Sequence, residues 1–230
     1  MAGTVFFALA MSLDGFVAPE SHAAAVRAMD SFKAPEKYQD DVQVQHWRAQ
    51  WGELHQATFP LRFFRENLKL GEGGEEGRDN DAARETHLRT GASVMGKRMF
   101  DLGELSWPEE APFHTPVFVL THTKREPWER PGGTTFHFVN DGIEHALDQA
   151  RDAAGNRDVR IAGGGRTVLQ YLNAGLVDEF SITLSPVLFG AGTRLFEGVD
   201  ASRIRLEPVR SEPSPRGPTR LTYAVHPARG

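Results

Sequence analysis

Runs of consecutive apolar residues alternate along this chain with stretches whose apolar residues recur at helical spacing. The apolar runs predict strands at 5–11, 92–95, 117–121, 135–139, 158–162 and 179–188. The stretches between them predict helices at 97–102, 143–154 and 166–174. Strands that alternate with helices are typical of an α/β fold with a mostly parallel sheet. A closing hairpin at 204–209 and 221–225 adds an antiparallel edge.

The pattern changes between the first two strands, where we predict a helical and loop insertion at about 21–90. Helices are indicated by Ala23–Met29, by Val44, Trp47, Trp51 and Leu54, and by Phe59, Phe63 and Phe64. The Gly-rich, acidic stretch Gly71–Asp81 predicts a mobile loop. Trp47 and Trp51 at helical spacing indicate core residues, and a platform for a flat heterocycle is the alternative. The chain is therefore expected to be one domain over 1–230, with this insertion.

Composition excludes several classes of protein. The 230 residues carry a net charge of −5 and no cysteine, which excludes disulfide scaffolds, Cys-ligated zinc and thiol nucleophiles. No Lys/Arg run is present, so neither nucleic acid nor an anionic membrane is an expected partner. The apolar run Val5–Met11 has no preceding Lys or Arg and is too short to span a bilayer, so a cytoplasmic protein is expected. Histidines lack metal-ligand spacing, so no metal is expected.

Two strand-to-helix junctions carry the clearest chemistry, and both contain glycine. Gly163–Gly165 opens a helix after an apolar strand, and Gly96 precedes a helix that begins with Lys97 and Arg98. Free N–H groups at a helix start favour phosphate, although glycine also serves ordinary tight turns. Two cations at the positive end of a helix dipole indicate a bound anion, or else side chains that point into water. Together the junctions suggest a ligand with two separated phosphates.

An ordered set of segments resembles the dihydrofolate-reductase-like superfamily, and is most similar to the branch that contains the reductase domain of riboflavin biosynthesis. The segments are MSLDGFVA (11–18), VMGKRMFD (94–101), VFVLTH (117–122), VRIAGGGRTVLQYL (159–172) and AGLVDEFSITLSPVLFGAGTRLF (174–196). The resemblance implies a three-layer fold of that superfamily, NADPH as cofactor and a homodimer. Riboflavin-pathway enzymes often carry a zinc deaminase as well, but its cysteine-bearing signature is missing here.

The resemblance also implies roles for individual residues. The pyrophosphate of NADPH is expected at Gly163, Gly164, Gly165, Arg166 and Thr167. The adenosine phosphates, including the 2′-phosphate, are expected at Gly96, Lys97 and Arg98, and the adenine at Leu120 and Thr121. The nicotinamide is expected beside Ala8 and Ala10. The substrate end is expected to be closed by Ser12, Gly15, Pro186, Gly190 and Gly192.

Asp14 is the candidate catalytic residue, because it follows the first strand at the reacting end; an Asp before Gly is also a common turn former. The expected activity is hydride transfer from NADPH to a C=N or C=O group of a small heterocyclic or carbonyl-type substrate. One alternative is a non-catalytic protein that binds a nucleotide or small molecule on the same fold. Another is a phosphate-binding module without preference for the 2′-phosphate.

Overall fold

The computed structural model describes residues 3–228, which form one large sheet with helices on both faces. The strands are β1 (Val5–Ser12), β2 (Phe16–Pro19), β3 (Thr90–Gly96), β4 (Val117–Leu120), β5 (Trp128–Glu129), β6 (Thr135–Val139), β7 (Asp158–Gly163), β8 (Glu179–Ser185), β9 (Gly192–Arg194), β10 (Ile204–Pro213) and β11 (Thr219–Pro227). The helices are α1 (His22–Asp30), α2 (Val42–Leu54), α3 (Arg62–Asn67), α4 (Arg78–Arg89), α5 (Lys97–Ser106), α6 (Ile143–Ala154) and α7 (Gly165–Asn173), with a 3-10 turn at Pro35–Tyr38.

The large sheet has the strand order β10-β11-β8-β1-β7-β3-β4-β6-β5. The six strands from β8 to β6 run parallel to one another. The hairpin of β10 and β11 pairs antiparallel with β8 at one edge, and β5 pairs antiparallel with β6 at the other. A separate ribbon is formed by β2 and β9. The predicted α/β fold, with a mostly parallel sheet and an antiparallel edge hairpin, is confirmed.

The main core lies between the sheet and the helices α6 and α7. Alternate residues of β1, Val5 and Phe7, point into it, and the Phe7 ring stacks on Phe180 of β8 with 4.8 Å between centroids. Tyr171 of α7 is fully buried there and donates its hydroxyl to the Ile143 carbonyl at 2.7 Å. Burial of this apolar face holds the parallel strands in register, because a shift by one residue would turn the face to solvent.

The opposite face of the sheet carries α5 and a second, aromatic cluster. Phe100 of α5 is fully buried and contacts Trp107, Phe136 and Phe138 edge to face. Met95 and Val119 of the neighbouring strands pack beneath it. The carboxyl end of β3 and the start of α5 are therefore held in a fixed relation by apolar packing.

The helices of the 21–90 stretch pack on one another and on α5. Helix α1 lies against α2 and α5, and Trp47 of α2 is buried against Ala24 and Ala28. Asp41 caps α2 by accepting from the Val44 amide at 3.1 Å, and its other oxygen accepts from Arg27 at 2.8 Å. The predicted helices over 23–29 and 44–54 are confirmed.

Several predicted boundaries differ from the structure, among them the ends of α5 at Ser106 and β10 at Pro213, and two others have a clear physical reason. The stretch Gly71–Asp81 is a loop only as far as Gly77, because α4 begins at Arg78. That start is held by tertiary contacts: the Asp79 carboxylate accepts from Ser214 Oγ at 2.6 Å, and Asn80 Oδ1 accepts from the Phe63 amide at 2.8 Å. The strand predicted to reach residue 188 ends at Ser185, because the following proline has no N–H for the ladder.

Candidate functional site

A deep cleft of about 1890 Å³ opens at the carboxyl ends of the parallel strands and extends over the sheet face that carries α1–α4. In open α/β sheets, ligands bind at this edge. All the residues that the resemblance assigns to the cofactor line this cleft: Ala8, Ala10, Gly96, Lys97, Arg98, Leu120, Thr121, Gly163, Gly164, Gly165, Arg166 and Thr167. The fold thus brings together residues that are 159 positions apart in the chain.

The turn between β7 and α7 presents backbone amides to the cleft. Gly163 has φ +132°, a conformation that favours glycine, and the peptide bond between Gly163 and Gly164 is cis. The Gly164 carbonyl accepts from the amides of Thr167 at 2.9 Å and Val168 at 3.1 Å, which starts the helix. Among residues 3–228 no side chain caps this helix. A Cβ on Gly164 would meet nothing within 4 Å, so the open space there fits a ligand that approaches the backbone.

The two glycine-led helix starts lie side by side, and contact between them explains two of the glycines. A Cβ on Gly96 would collide with the hydroxyl of Thr167. A Cβ on Gly165 would lie 2.9 Å from Val17 Cγ2 and 3.3 Å from Thr193 Cγ2, in the ribbon of β2 and β9. Gly96 and Gly165 therefore permit close packing, whereas Gly164 leaves space for a ligand.

The start of α5 carries two cations with different surroundings. Lys97 forms a salt bridge with Asp101 one turn along the helix. Arg98 is exposed and lines the cleft, and no ion pair of the described residues includes it. No side chain within residues 3–228 caps this helix either. The positive charge that is free for an anion at this helix start is therefore mainly that of Arg98.

The end of β4 borders the far side of the cleft. The buried Thr121 donates its amide to the Val139 carbonyl at 3.0 Å, and its hydroxyl accepts from the Thr123 amide at 3.1 Å. These bonds fix the turn after Leu120, so the end of β4 presents an ordered edge to the cleft. The assignment of the adenine to this edge stays a prediction.

Asp14 lies outside the lining of the cleft and joins two loops. Its carboxylate accepts from Ser12 Oγ at 2.6 Å, from the Gly190 amide at 2.8 Å and from the Phe189 amide at 3.2 Å. Partial burial alone would raise the pKa of Asp14, but these hydrogen bonds outweigh it and hold the pKa below its ordinary value. These contacts give Asp14 a structural role; its catalytic role stays a prediction.

The predicted substrate-end residues surround Asp14 more than the cleft. Ser12 is fully buried and its hydroxyl accepts from the Phe16 amide at 2.9 Å, and the Gly15 amide donates to the Ser12 carbonyl at 2.9 Å. Pro186 and Gly190 belong to the loop that Asp14 holds, and they do not line the cleft. Gly192 does line it, at the start of β9.

A column of aromatic rings forms one wall of the cleft. Trp47 stacks on Trp51 with 5.2 Å between centroids, Trp51 contacts His55 at 4.0 Å, and His55 stacks on Phe59 at 5.2 Å. Burial lowers the pKa of His55 to about 4, so its ring is neutral at pH 7. Trp47 is a buried core residue and Trp51 is half-buried, and both rings line the cleft. Helical spacing identified Trp47 and Trp51 as candidates, but nothing local to His55 distinguished it.

Residues 3–228 include no group of three His, Cys, Asp or Glu side chains placed to hold a metal ion. None of their helices is long and apolar enough to cross a membrane.

Comparison with known proteins gives one family match and several related proteins. A family model described as the RibD C-terminal domain matches residues 3–218, a range that includes the stretch 21–90. Two Bacillus subtilis (strain 168) proteins, both named as uncharacterized, are similar in sequence. YyaP is 28% identical over 136 residues, which cover 56% of this chain and 71% of YyaP. YwjB is 32% identical over 71 residues, which cover 30% of this chain and 40% of YwjB.

Several solved structures share the fold. A Shewanella sp. PV-4 protein provisionally assigned to riboflavin biosynthesis has a TM-score of 0.57 at 23% identity, over 98% of this chain and 99% of that one. The dihydrofolate reductase of Enterococcus faecalis, complexed with NADP(H) and RAB-propyl, has a TM-score of 0.52 at 13% identity, over 98% of both chains. The Thermotoga maritima diaminohydroxyphosphoribosylaminopyrimidine deaminase/5-amino-6-(5-phosphoribosylamino)uracil reductase has a TM-score of 0.54 at 14% identity, over 97% of this chain and 56% of that one. At these identities the similarity shows a common fold.

Proposed function

Because the chain belongs to the RibD C-terminal domain family, we propose that it is an NADPH-dependent reductase of a small heterocyclic or carbonyl-type substrate. The observation that carries this proposal is the pair of helix starts, Gly96 with α5 and Gly164 with α7, which lie side by side at one cleft without side-chain caps among the described residues. Helix N-termini favour phosphate groups because their amides and dipoles face the anion. When bound, the cofactor would supply a hydride for a C=N or C=O group.

The residues of the chain would divide the cofactor between three places. The amides after Gly164 would hold the pyrophosphate. Arg98 would pair with the 2′-phosphate, because Lys97 is already neutralised by Asp101. Ala8 and Ala10 of β1, which line the cleft, leave room for a flat ring against the strand.

The proton that reduction requires would come from water in the cleft. Water is the source that we favour because the Asp14 carboxylate lies outside the cleft lining and accepts hydrogen bonds from Gly190 and Phe189. The principal work of the protein would then be to position the cofactor and substrate, which can supply a large part of a rate enhancement.

Calorimetric titration of NADPH and NADH at fixed salt tests the proposal. Wild type should bind NADPH at least about tenfold more tightly than NADH, which corresponds to about one charge-assisted hydrogen bond. Arg98→Ala should lose that preference, and Lys97→Ala should lose less of it. Arg203→Ala is the matched control, because it removes an exposed arginine that lies outside the cleft. Equal affinity for the two nucleotides, or binding of neither, would contradict the proposal.

A second candidate, a nucleotide-binding protein without catalysis, is favoured by one observation: the Asp14 carboxylate is held by backbone amides away from the cleft. The two functions differ in turnover. A reductase should oxidise NADPH, followed by its absorbance, with at least one member of a panel of cyclic imines, pyrimidines and ketones. Tight NADPH binding with no oxidation across the panel would favour the second candidate.

A further inference from the structure

Arg160 is a charged residue on the central strand of the sheet, and it points into the cleft. On β7 its flanking residues Val159 and Ile161 point into the main core, so Arg160 points to the other face. Its register partners there are Phe6 of β1 and Ser93 of β3, and all three residues line the cleft. The cleft therefore has a guanidinium at the base of its sheet wall.

Arg160 has no ion-pair partner within residues 3–228. Its Nε is buried without a hydrogen-bond partner, and no ion pair of the described residues includes it. The neighbouring Arg89 differs, because its Nη2 donates to Glu179 at 2.8 Å and its Nε lies 3.5 Å from Asp158. Those two carboxylates are therefore already engaged by Arg89. The guanidinium of Arg160 stays protonated, and its two NH₂ groups, which form no hydrogen bond within the described residues, are free to donate to a ligand in the cleft.

Two further groups near Arg160, His87 and Arg157, are not acidic. His87 of α4 also lines the cleft, and burial, then the charges of His114 and Arg160, lower its pKa. Arg157, three residues earlier, donates to the Thr90 carbonyl at 3.2 Å and is itself positive. Arg160 faces the cleft without a carboxylate partner among the described residues, and this points to an anionic ligand.

The position of Arg160 relative to the glycine turn sets the size of that ligand. A strand rises about 3.3 Å per residue, so Arg160 lies about 10 Å from Gly163 along β7. Between them the wall of the cleft is formed by small residues, Ala162 on β7 and Ala8 on β1. A flat substrate could lie over these small residues, between a cofactor held at the glycine turn and Arg160.

We propose that Arg160 binds an oxyanion of the substrate, a phosphate or a carboxylate. Its register partner Phe6 lies two residues from Ala8 and four from Ala10, so the oxyanion would lie about 7–13 Å along the sheet from the proposed nicotinamide position. A planar guanidinium can donate two parallel hydrogen bonds to either group. The substrate assignment rests on the proposed reductase activity, whereas the anion site rests on the surroundings of Arg160.

The test measures anion affinity in three proteins: wild type, Arg160→Met and Arg157→Met. Inorganic phosphate and acetate are titrated separately by calorimetry at constant ionic strength, with the cleft otherwise free and again with saturating NADPH. Arg157→Met removes an equal charge three residues away, from an exposed side chain outside the cleft lining. Wild type and Arg157→Met should bind one of the anions with similar affinity, and Arg160→Met should bind it at least tenfold more weakly. Preference for phosphate or for acetate identifies which oxyanion the substrate carries.

Stability provides the second readout. Arg160→Met removes a charge without an ion-pair partner and a buried, unpartnered Nε, and it keeps most of the apolar stem, so its urea midpoint should equal or exceed that of wild type. A lower midpoint would show that Arg160 is instead paired within the fold and would overturn the proposal. Equal anion affinity in the two variants, or no anion binding by wild type, would also overturn it.

The NADPH arm separates this proposal from the proposed function. Arg160→Met should bind NADPH as wild type does. If NADPH binding weakens together with anion binding, Arg160 serves the cofactor and the substrate assignment fails. If wild type binds no NADPH but the anion difference persists, the anion site stands and the reductase proposal fails.

Discussion

Replacement of Asp14 by asparagine separates a structural role for this carboxylate from a catalytic one. In Asp14→Asn, one of two acceptor oxygens becomes an NH₂ group. Oδ1 accepts from Ser12 Oγ and Oδ2 accepts from the Gly190 amide, while the Phe189 amide contacts both. Whichever oxygen is replaced, the new NH₂ group faces the Phe189 amide, which is also a donor.

The expected cost follows from these contacts. One charge-assisted hydrogen bond is lost and the remaining ones become neutral, and a hydrogen bond to a charged group contributes about 1.5–3 kcal/mol. Because Asp14 is half-buried, we expect a loss of about 1–3 kcal/mol in the free energy of unfolding. In a domain of this size the melting temperature should fall by about 2–4 °C for each kcal/mol.

The pH dependence gives the sign of the effect. The pKa of Asp14 is held below its ordinary value in the folded chain, so its contribution is complete above the unfolded pKa of about 4. The contribution is lost as the pH falls through the lower, folded pKa. The stability difference between wild type and Asp14→Asn should therefore be full at pH 7 and should shrink in acid.

Urea unfolding followed by tryptophan fluorescence, at neutral pH and in mild acid, measures that difference. Asp152→Asn is the control, because Asp152 is an exposed residue of α6 and no ion pair among residues 3–228 includes it. Unchanged stability of Asp14→Asn at pH 7 would refute the structural role. Unchanged stability with loss of NADPH oxidation would instead support the catalytic prediction.

Two further outcomes can be measured. Gly165→Ala should lower the free energy of unfolding by about 1–3 kcal/mol, because its Cβ would lie 2.9 Å from Val17. Gly164→Ala should fold normally and weaken NADPH binding, because its Cβ enters open cleft space. Urea unfolding and NADPH titration of both variants compare them, and equal stabilities would contradict the different roles of the two glycines. Burial lowers the pKa of His55 to about 4, from about 6.5 in the unfolded chain. Between these values only the unfolded chain binds the extra proton, so the free energy of unfolding should fall as the pH drops from about 6.5 to about 4, by at most about 1.4 kcal/mol per pH unit. His55→Phe should flatten that slope, and an unchanged slope would place the titration elsewhere.

Local patterns predicted the elements that build the cleft. Apolar runs marked β1, β3, β4 and β7, because strands buried in a parallel sheet need apolar residues on consecutive positions. Gly96 and Gly163–Gly165 were recognisable as helix starts, because a close backbone approach or a positive φ excludes most other residues. The order of these motifs also indicated the fold, and the strand order agrees with that expectation.

Contacts between distant residues decided what the patterns did not predict. The start of α4 depends on Ser214 and Phe63, and neither lies within its own helix. The strands β2 and β9 are too short to be marked by periodicity and exist because they pair with each other.

The chemistry of the site divides in the same way. Sequence by itself indicated the glycine turns and the cations Lys97 and Arg98 at the cleft, because helix starts and strand ends follow from neighbouring residues. Tertiary structure alone decided that Asp14 is held by Gly190, that Lys97 is neutralised while Arg98 is free, and that Arg160 lies unpaired at the base of the cleft. Charge compensation depends on which groups the completed fold brings within a few ångströms, and that proximity is not encoded in any local pattern.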